Sequence, residues 1–353
     1  MNKVVNFPAL HFNYLKGGWP QMYINLFEAF HELGYEIRLS PHIQSNQYHP
    51  EVSKSRSIGG LALPDYVKIG IVDNPEHIYV YNHTTAYDIN KKGWFVGRKN
   101  LIIKPSGPGS QHFTIDDVGY ASHSSITYKE PNYLRKYIND EVEPFYETKV
   151  KEWINGKINK WDEDWEVNDF FEPKVDIPNE HVLFIGQMPG DETCTKFSFG
   201  DHWTKFVSLI NSIQTQYNII IKLHPYLLQE KNLHWTDQQG IKEKISEWEG
   251  KGYTVLSGFE SLHNILPKTR VAVIENSTSG LECLMHNVPI ISYGYPEYHW
   301  VTKDLRHAIN LSEYVADLSW YDKDKAQAWL TWYSENYACE DKDSTLSRLK
   351  ELI

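Results

Sequence analysis

The sequence predicts an α/β protein built as two doubly wound halves, each a parallel sheet with helices on both faces. Strand-length apolar runs alternate with helical patterns along the chain, and that alternation calls for crossover connections between parallel strands. At 353 residues the chain exceeds most single cores and fits two of ordinary size. A polar stretch punctuated by Pro173 and Pro178 separates the two patterns, because proline denies helix continuation and polar residues suit an exposed connection. Domains are therefore expected at 1–175 and 176–353.

The first half begins with a short strand at 3–6, a loop carrying Gly17 and Gly18, and a helix at 20–33 that Gly34 closes. A strand at 35–39 completes one β-α-β unit. Apolar runs at 67–72, 78–81 and 101–103 read as further strands, and 132–161 reads as a long charged helix. Beyond the seam, strands are expected at 181–186, 218–223, 253–256, 271–274 and 288–292. Helices at 203–213, 241–248, 262–266 and 280–285 alternate with them, and amphipathic patterns at 323–337 and 345–352 end the chain.

Composition narrows the function. The 41% hydrophobic and 14% aromatic fractions supply enough apolar surface to offset chain entropy, which excludes a largely disordered protein. A formal charge of -11 argues against broad nucleic-acid binding, which depends on clustered Lys and Arg neutralising phosphates. Cys194, Cys283 and Cys339 show no metal-ligand spacing and are odd in number, so a reducing compartment is expected. The first residues lack the apolar core of a signal peptide, and no apolar run has the length of a membrane helix, which points to the cytoplasm. Twelve tryptophans and scattered lysines leave room for a face that docks peripherally on the inner membrane or on a synthase complex.

The residues that carry chemistry follow the strands. Period-two alternation turns Lys222 and His224 to one face while Pro225 stops further ladder pairing, so His224 points into the crevice beyond the strand end. A histidine there can donate to, or protonate, a leaving phosphate; a satisfied core histidine before a turn is the plainer account. Asn276, Ser277, Thr278, Ser279 and Gly280 place hydroxyls and free N–H groups where a helix begins, which suits a phosphate. Ser279 with Glu282 also reads as a capping box, in which each side chain satisfies the other's backbone N–H. Gln187-Met188-Pro189-Gly190-Asp191 turns sharply after a strand and would hold Asp191 at the domain cleft as nucleophile or base, or form an ordinary surface turn.

In the first half, the loop at 104–109 and the residues His112, Asp116 and Asp117 are candidates to meet an acceptor hydroxyl, with a Gly-Pro loop and a solvated Asp pair as the duller reading. The adjacent aspartates lack the Asp-x-Asp spacing of many metal-dependent nucleotide-sugar transferases. A metal-free site suits a donor carrying one phosphate, whose charge Lys, His and backbone amides can meet. The segment Tyr293-Gly294-Tyr295-Pro296-Glu297-Tyr298-His299-Trp300, followed by Lys303, Arg306 and His307, would wall a sugar pocket and offer cations to a donor carboxylate.

Four of these elements, Gln187-Met-Pro-Gly-Asp191, Lys222-Leu-His224-Pro225, Ser277-Thr-Ser-Gly280-Leu-Glu282 and Tyr293-Gly294-Tyr-Pro296-Glu-Tyr298, resemble in order and spacing the bacterial β-Kdo glycosyltransferases of capsule and O-antigen assembly. Asp116-Asp117-Val118-Gly119 is similar to an element in the amino halves of that family. The resemblance implies a modified GT-B architecture of two Rossmann-like domains, a CMP-Kdo donor, no metal and no other cofactor, and retention of anomeric configuration. It further implies that Asp191 attacks the anomeric carbon and that His224 assists departure of CMP. Lys222, Ser277 and Thr278 would hold the phosphate, Gln187 would orient nucleophile or sugar, and Glu282 would grip the ribose or cap its helix. Where relatives carry an acid after an amino-domain strand this chain has Lys104-Pro105-Ser106-Gly107, so the acceptor-side group is sought among His112, Asp116 and Asp117.

The expected activity is transfer of Kdo to a surface glycan or glycolipid acceptor in lipopolysaccharide or capsule assembly. Three other readings compete: an inverting sialyltransferase-like enzyme, a nucleotide-sugar epimerase, and a non-catalytic CMP-sugar binding module. Asp191, Lys222 and His224 together count against the last.

Overall fold

The computed structural model describes residues 3–11, 18–43, 48, 50–109, 111–129, 142–158, 173–197, 200–229, 238–306 and 310–353. They form two compact units: described residues of Met1–Lys129, Ile158–Asn168 and Trp332–Ile353 make the first, and those of Glu130–Lys157 and Asp169–Thr331 the second.

The first unit contains, in chain order, β1 (Val4–Phe7), α1 (Trp19–Glu32), β2 (Glu36–Leu39), a β3–β4 hairpin (Ser57–Ile58 and Leu61–Ala62), β5 (Val67–Ile69), β6 (Ile78–Asn82), α2 (Ala86–Lys91), β7 (Lys99–Pro105), β8 (Phe113–Asp116) and α3 (Ser125–Tyr128). Helix α1 places Met22, Tyr23, Leu26, Phe27 and Phe30 at helical spacing, and all are buried. Pro20 sits in its first turn, where a missing N–H costs nothing, and Gly34 adopts φ 78°, the left-handed conformation that ends a helix without strain. Phe7 from β1 meets Phe27 edge-on at 4.9 Å, fixing helix against sheet.

The second unit begins with short helices α4 (Val142–Phe145) and α5 (Lys151–Asn155), joined by a π-helical turn at Tyr146–Val150, all inside the predicted long helix; 132–141 and 159–161 of that prediction lie outside the described residues. It continues with β9 (His181–Ile185), α6 (Glu192–Phe197), α7 (His202–Ser212), β10 (Ile219–Lys222), α8 (Gln238–Gly250), β11 (Thr254–Leu256), β12 (Thr269–Ile274), α9 (Ser279–Met285), β13 (Ile290–Ser292), β14 (Lys303–Asp304), α10 (Leu311–Ala316) and α11 (Lys323–Trp332). Its six-stranded sheet, ordered β11-β10-β9-β12-β13-β14, is parallel at every pairing. Strand β9 is buried along its whole length, as a strand covered on both faces must be.

The chain then rejoins the first unit. Strand β15 (Ala338–Cys339) pairs antiparallel with β8, Cys339 opposite Phe113. Helix α12 (Lys342–Leu352), opened by a capping box between Asp341 and Ser344, reaches α1 through the Lys342–Glu32 ion pair at 2.9 Å. The first sheet is therefore seven-stranded and mixed, β15-β8-β7-β6-β1-β2-β5, with β7–β8 also antiparallel. A single cut at 175/176 does not describe this arrangement, since residues 332–353 pack with the first unit. Helices α2 and α6 and strand β8 are additions to the sequence expectation, and Lys104 and Pro105 belong to the end of β7 rather than to a loop. Among the described residues no helix is long and apolar enough to cross a membrane.

Two half-buried histidines of the second unit predict its response to acid. Burial lowers His286 from 6.5 to about 4, helped by His263, whose Nδ1 lies 2.9 Å from His286 Nε2. Burial likewise lowers His299 to about 4. A base whose folded pKa is depressed contributes stability that is complete above its unfolded value near 6.5 and is lost as pH falls toward 4, because the unfolded chain takes up protons that the fold refuses. Urea denaturation at pH 7 and pH 5 should therefore show lower stability at pH 5, with a smaller drop in His286→Gln.

Candidate functional site

Open parallel sheets bind ligands beyond the carboxyl ends of their strands, where the winding reverses. In the second unit the chain leaves β9 for β10 and β11 on one side, then returns to β12 on the other. The reversal lies beside β9, where Ile185 pairs with both Lys222 and Ile274. The turns after these three adjacent strands carry Gln187 and Asp191, His224 and Pro225, and Asn276 through Gly280. The sequence assigned all of them to one site, and the topology places their loops side by side.

Gln187 and Asn276 lock two of those turns together. Gln187 Nε2 donates to Asn276 Oδ1 (2.8 Å), Asn276 N donates to Gln187 Oε1 (2.9 Å), and Asn276 Nδ2 donates to Thr193 O (3.0 Å). Behind them lies a pair that the sequence reading missed. The Gln187 N–H donates to His202 Nε2 (3.2 Å), so the imidazole proton belongs on Nδ1, which faces the Glu275 carboxylate. His202 is 2% exposed and Glu275 fully buried. Cys194 completes a buried trio with them, but a proton on Nδ1 and an acceptor role for Nε2 occupy both ring nitrogens, which matches a hydrogen-bonded brace and not a metal ligand. Gly294 makes room for the brace: a Cβ there would stand 2.6 Å from both Glu275 Cγ and Glu275 O.

Asp191 is exposed, and its Oδ1 accepts from Thr193 N (2.7 Å) and Thr193 Oγ1 (2.5 Å). Its carbonyl accepts from Cys194 N and Thr195 N, so Asp191 caps α6. His224 is half-buried, its Nδ1 accepting from Tyr226 N (3.2 Å) across the turn that Pro225 begins. Lys222 is buried and already engaged. Its Nζ donates to Leu223 O (3.0 Å) and Gly258 O (2.6 Å) and pairs with Glu260 at 3.3 Å. Burial lowers its pKa, with Glu260 and Glu282 opposing. Its place is beneath the loops, bracing 223 and 258.

The Ser279–Glu282 capping box does not form. Helix α9 starts at Ser279, one position earlier than the box requires; Thr278 is its N-cap and makes no side-chain capping bond. Ser277 Oγ instead accepts from Ser279 N (3.2 Å), while Thr278 Oγ1 is shielded from solvent and has no hydrogen-bond partner among the described residues. A buried hydroxyl of that kind calls for a further partner. Gly280 serves packing: a Cβ would stand 2.1 Å from Tyr298 Cζ, and Tyr298 Oη holds Ser277 O at 2.5 Å. Gly280→Ala should therefore cost about 1–3 kcal/mol by overpacking; a lowered midpoint in urea denaturation is the expected reading.

The acceptor-side candidates differ sharply. Asp116 is fully buried and accepts from Val118 N, Gly119 N, Ser125 N, Ser125 Oγ and Tyr337 Oη at 2.6–3.0 Å, so it organises its own loop. Asp117 pairs with Lys99 at 2.7 Å and stays partly exposed. His112 is buried, its Nδ1 accepting from Gly109 N (3.2 Å) and its Nε2 lying 3.3 Å from Glu340. The winding of this unit reverses beside β1 and β6, and an aromatic group absent from the sequence reading lies there. His11 stacks on Trp19 at 4.1 Å, its N–H donates to Tyr23 Oη, and Tyr23 Oη donates to Asn82 Oδ1 (2.6 Å). No local pattern marks these residues, which come from the segment after β1, from α1 and from the end of β6.

In the predicted sugar-wall segment, the Arg306 guanidinium stacks 4.2 Å from the Tyr295 ring and is held by Asp304; His307 lies outside the described residues. A cavity lined by Asn179, Lys268, Arg270 and Tyr321 lies at the amino ends of β9 and β12, the opposite end of the sheet from these loops.

A solved structure from Thermosulfurimonas dismutans, "KpsC, beta Kdo 2,7 transferase", superposes with TM-score 0.50 at 12% identity, covering 100% of this chain and 99% of that one. The "KpsC, beta Kdo 2,4 transferase" of the same organism gives 0.48 at 14% identity, covering 93% and 90%. The first likeness places the fold with the two-domain GT-B glycosyltransferases. No curated protein matches the chain. The family model described as "Capsule polysaccharide biosynthesis protein" matches residues 111–322, more than half of the chain and including all three loops of the candidate site, and this chain belongs to that family.

Proposed function

We propose that this chain is a retaining glycosyltransferase that moves Kdo from CMP-β-Kdo to a capsule or other surface-glycan acceptor. The observation that carries the reading is the placement of Asp191, His224 and the Thr278 hydroxyl, which has no partner among the described residues, on the turns after three adjacent parallel strands at the winding reversal. A carboxylate, a titratable imidazole and a shielded donor are what a displacement at a sugar phosphate requires. An Asp191 oxygen attacks the anomeric carbon as its bond to the CMP phosphate breaks, and His224 donates a hydrogen bond or proton to that phosphate. The acceptor hydroxyl then displaces the aspartyl ester, loses its proton to a base, and restores the Asp191 carboxylate. Two inversions leave the configuration retained.

Thr278 and the N–H groups opening α9 would receive the phosphate, and the Gln187–Asn276 clamp would keep the Asp191 turn in register with them. No metal is required, because backbone amides, the hydroxyl and His224 meet the single phosphate. The test is incubation with CMP-Kdo in the presence of EDTA, followed by intact-protein mass measurement. One Kdo mass added to the chain, removed by acceptor, is the expected result; donor turnover with no adduct and an inverted product would overturn the mechanism. The inverting reading draws on one observation, the use of Asp191 Oδ1 as a helix cap, and the anomeric configuration of the product separates the two.

A further inference from the structure

The segment from α2 to the start of β7 is basic in an otherwise acidic chain. Between Ala86 and Lys99 lie Lys91, Lys92, Arg98 and Lys99 against one carboxylate, Asp88, while the whole chain carries -11. The same segment shows large apolar side chains to solvent: Tyr87 is 70% exposed, Trp94 38% and Val96 50%. Lys91, Lys92 and Arg98 are exposed beside them. Lys99 is offset by Asp117, which leaves three cations facing outward.

The protrusion is built rather than loose. Gly93 takes φ 63°, and its N–H bonds Asn90 O while Trp94 N bonds Ile89 O (both 3.2 Å), the paired closure of a helix that turns sharply through a left-handed glycine. Trp94 then stacks on Tyr81 of β6 at 5.6 Å, and Tyr81 Oη donates to Phe95 O (2.5 Å). Gly97 lies so close to the sheet that a Cβ would stand 2.1 Å from His77 O. Lys92 Nζ sits 4.5 Å above the Trp94 ring and Lys91 Nζ 5.8 Å from the Tyr87 ring.

We propose that this face docks on an anionic phospholipid bilayer. Indole and phenol rings settle at headgroup depth, and lysine ammonium groups beside them reach lipid phosphates, so the rings and cations act together. A second copy of the chain is disfavoured, because a two-fold contact would set these cations against themselves. Nucleic acid would meet the cations but offers the exposed Val96 no apolar phase to enter. The proposal does not depend on which sugar the enzyme transfers.

The test is cosedimentation of the full chain with vesicles of phosphatidylglycerol and phosphatidylcholine, compared with phosphatidylcholine alone, at low and high salt. Binding to the anionic vesicles that weakens with salt is expected. Lys91→Glu with Lys92→Glu and Arg98→Glu together should weaken it by roughly a hundredfold, and Tyr87→Ala by roughly tenfold, both with an unchanged melting curve because these side chains are exposed. Equal binding to neutral vesicles, no binding to either, or unchanged binding by both variants overturns the proposal. So does sedimentation velocity showing a dimer that the same substitutions dissolve.

Discussion

Asp191→Asn is expected to abolish transfer while leaving the chain folded and able to bind CMP. The substitution tests chemistry apart from structure because of what Asp191 does in the fold. Its Oδ1 accepts from Thr193 N, capping α6, and asparagine caps as well as aspartate. Asparagine keeps that oxygen but cannot form an aspartyl ester, so a nucleophilic role predicts a rate loss of roughly a thousandfold or more. Asp191→Ala removes both functions and should cost about 1 kcal/mol of stability besides. A purely structural Asp191 predicts active variants instead: Asn near wild type and Ala only mildly impaired. Transfer rate, thermal melting and CMP titration on the two variants distinguish these patterns. The adduct expected for the wild type on exposure to CMP-Kdo should be missing from both.

Much of the second unit was legible because its strands are buried on both faces and read as apolar runs, as 182–185 and 271–274 do. Their turns are local features as well, so Gln187, Asp191, His224 and Asn276 could be assigned to strand ends from sequence alone. What escaped was non-local. Strand β15 is two residues long and exists only through its pairing with β8, so nothing near Cys339 announces that the chain has returned to the first sheet. Strand β8 ends on the fully buried Asp116, a residue that breaks the apolar pattern and is satisfied partly by Tyr337, far away in sequence. The capping box failed for a local reason: Ser277 accepts from Ser279 N, and α9 starts one position earlier. Glu275 did carry a signal, a carboxylate directly after four apolar strand residues, but its partner His202 is 73 residues away.

That partnership sets the largest expected stability effect. Removing Glu275 takes the acceptor from a buried His202 Nδ1 proton; removing His202 takes a partner from a fully buried carboxylate. Breaking a buried pair from one side costs about 3–5 kcal/mol, which for a protein of this size lowers the melting temperature by roughly 10 °C. Glu275→Ala and His202→Ala should each show a loss of that order. The damage should also reach the site, because the same imidazole receives the Gln187 N–H and the clamp to Asn276 depends on where Gln187 lies. Replacing both members together, His202→Phe with Glu275→Leu, removes the buried charge and proton at once and should recover part of the stability, although the Gln187 N–H loses its acceptor. It should not recover the orientation of the Gln187 turn. Recovered melting with transfer still impaired would identify the pair as the brace that positions the Asp191 turn, whereas full recovery of both would reduce it to core packing.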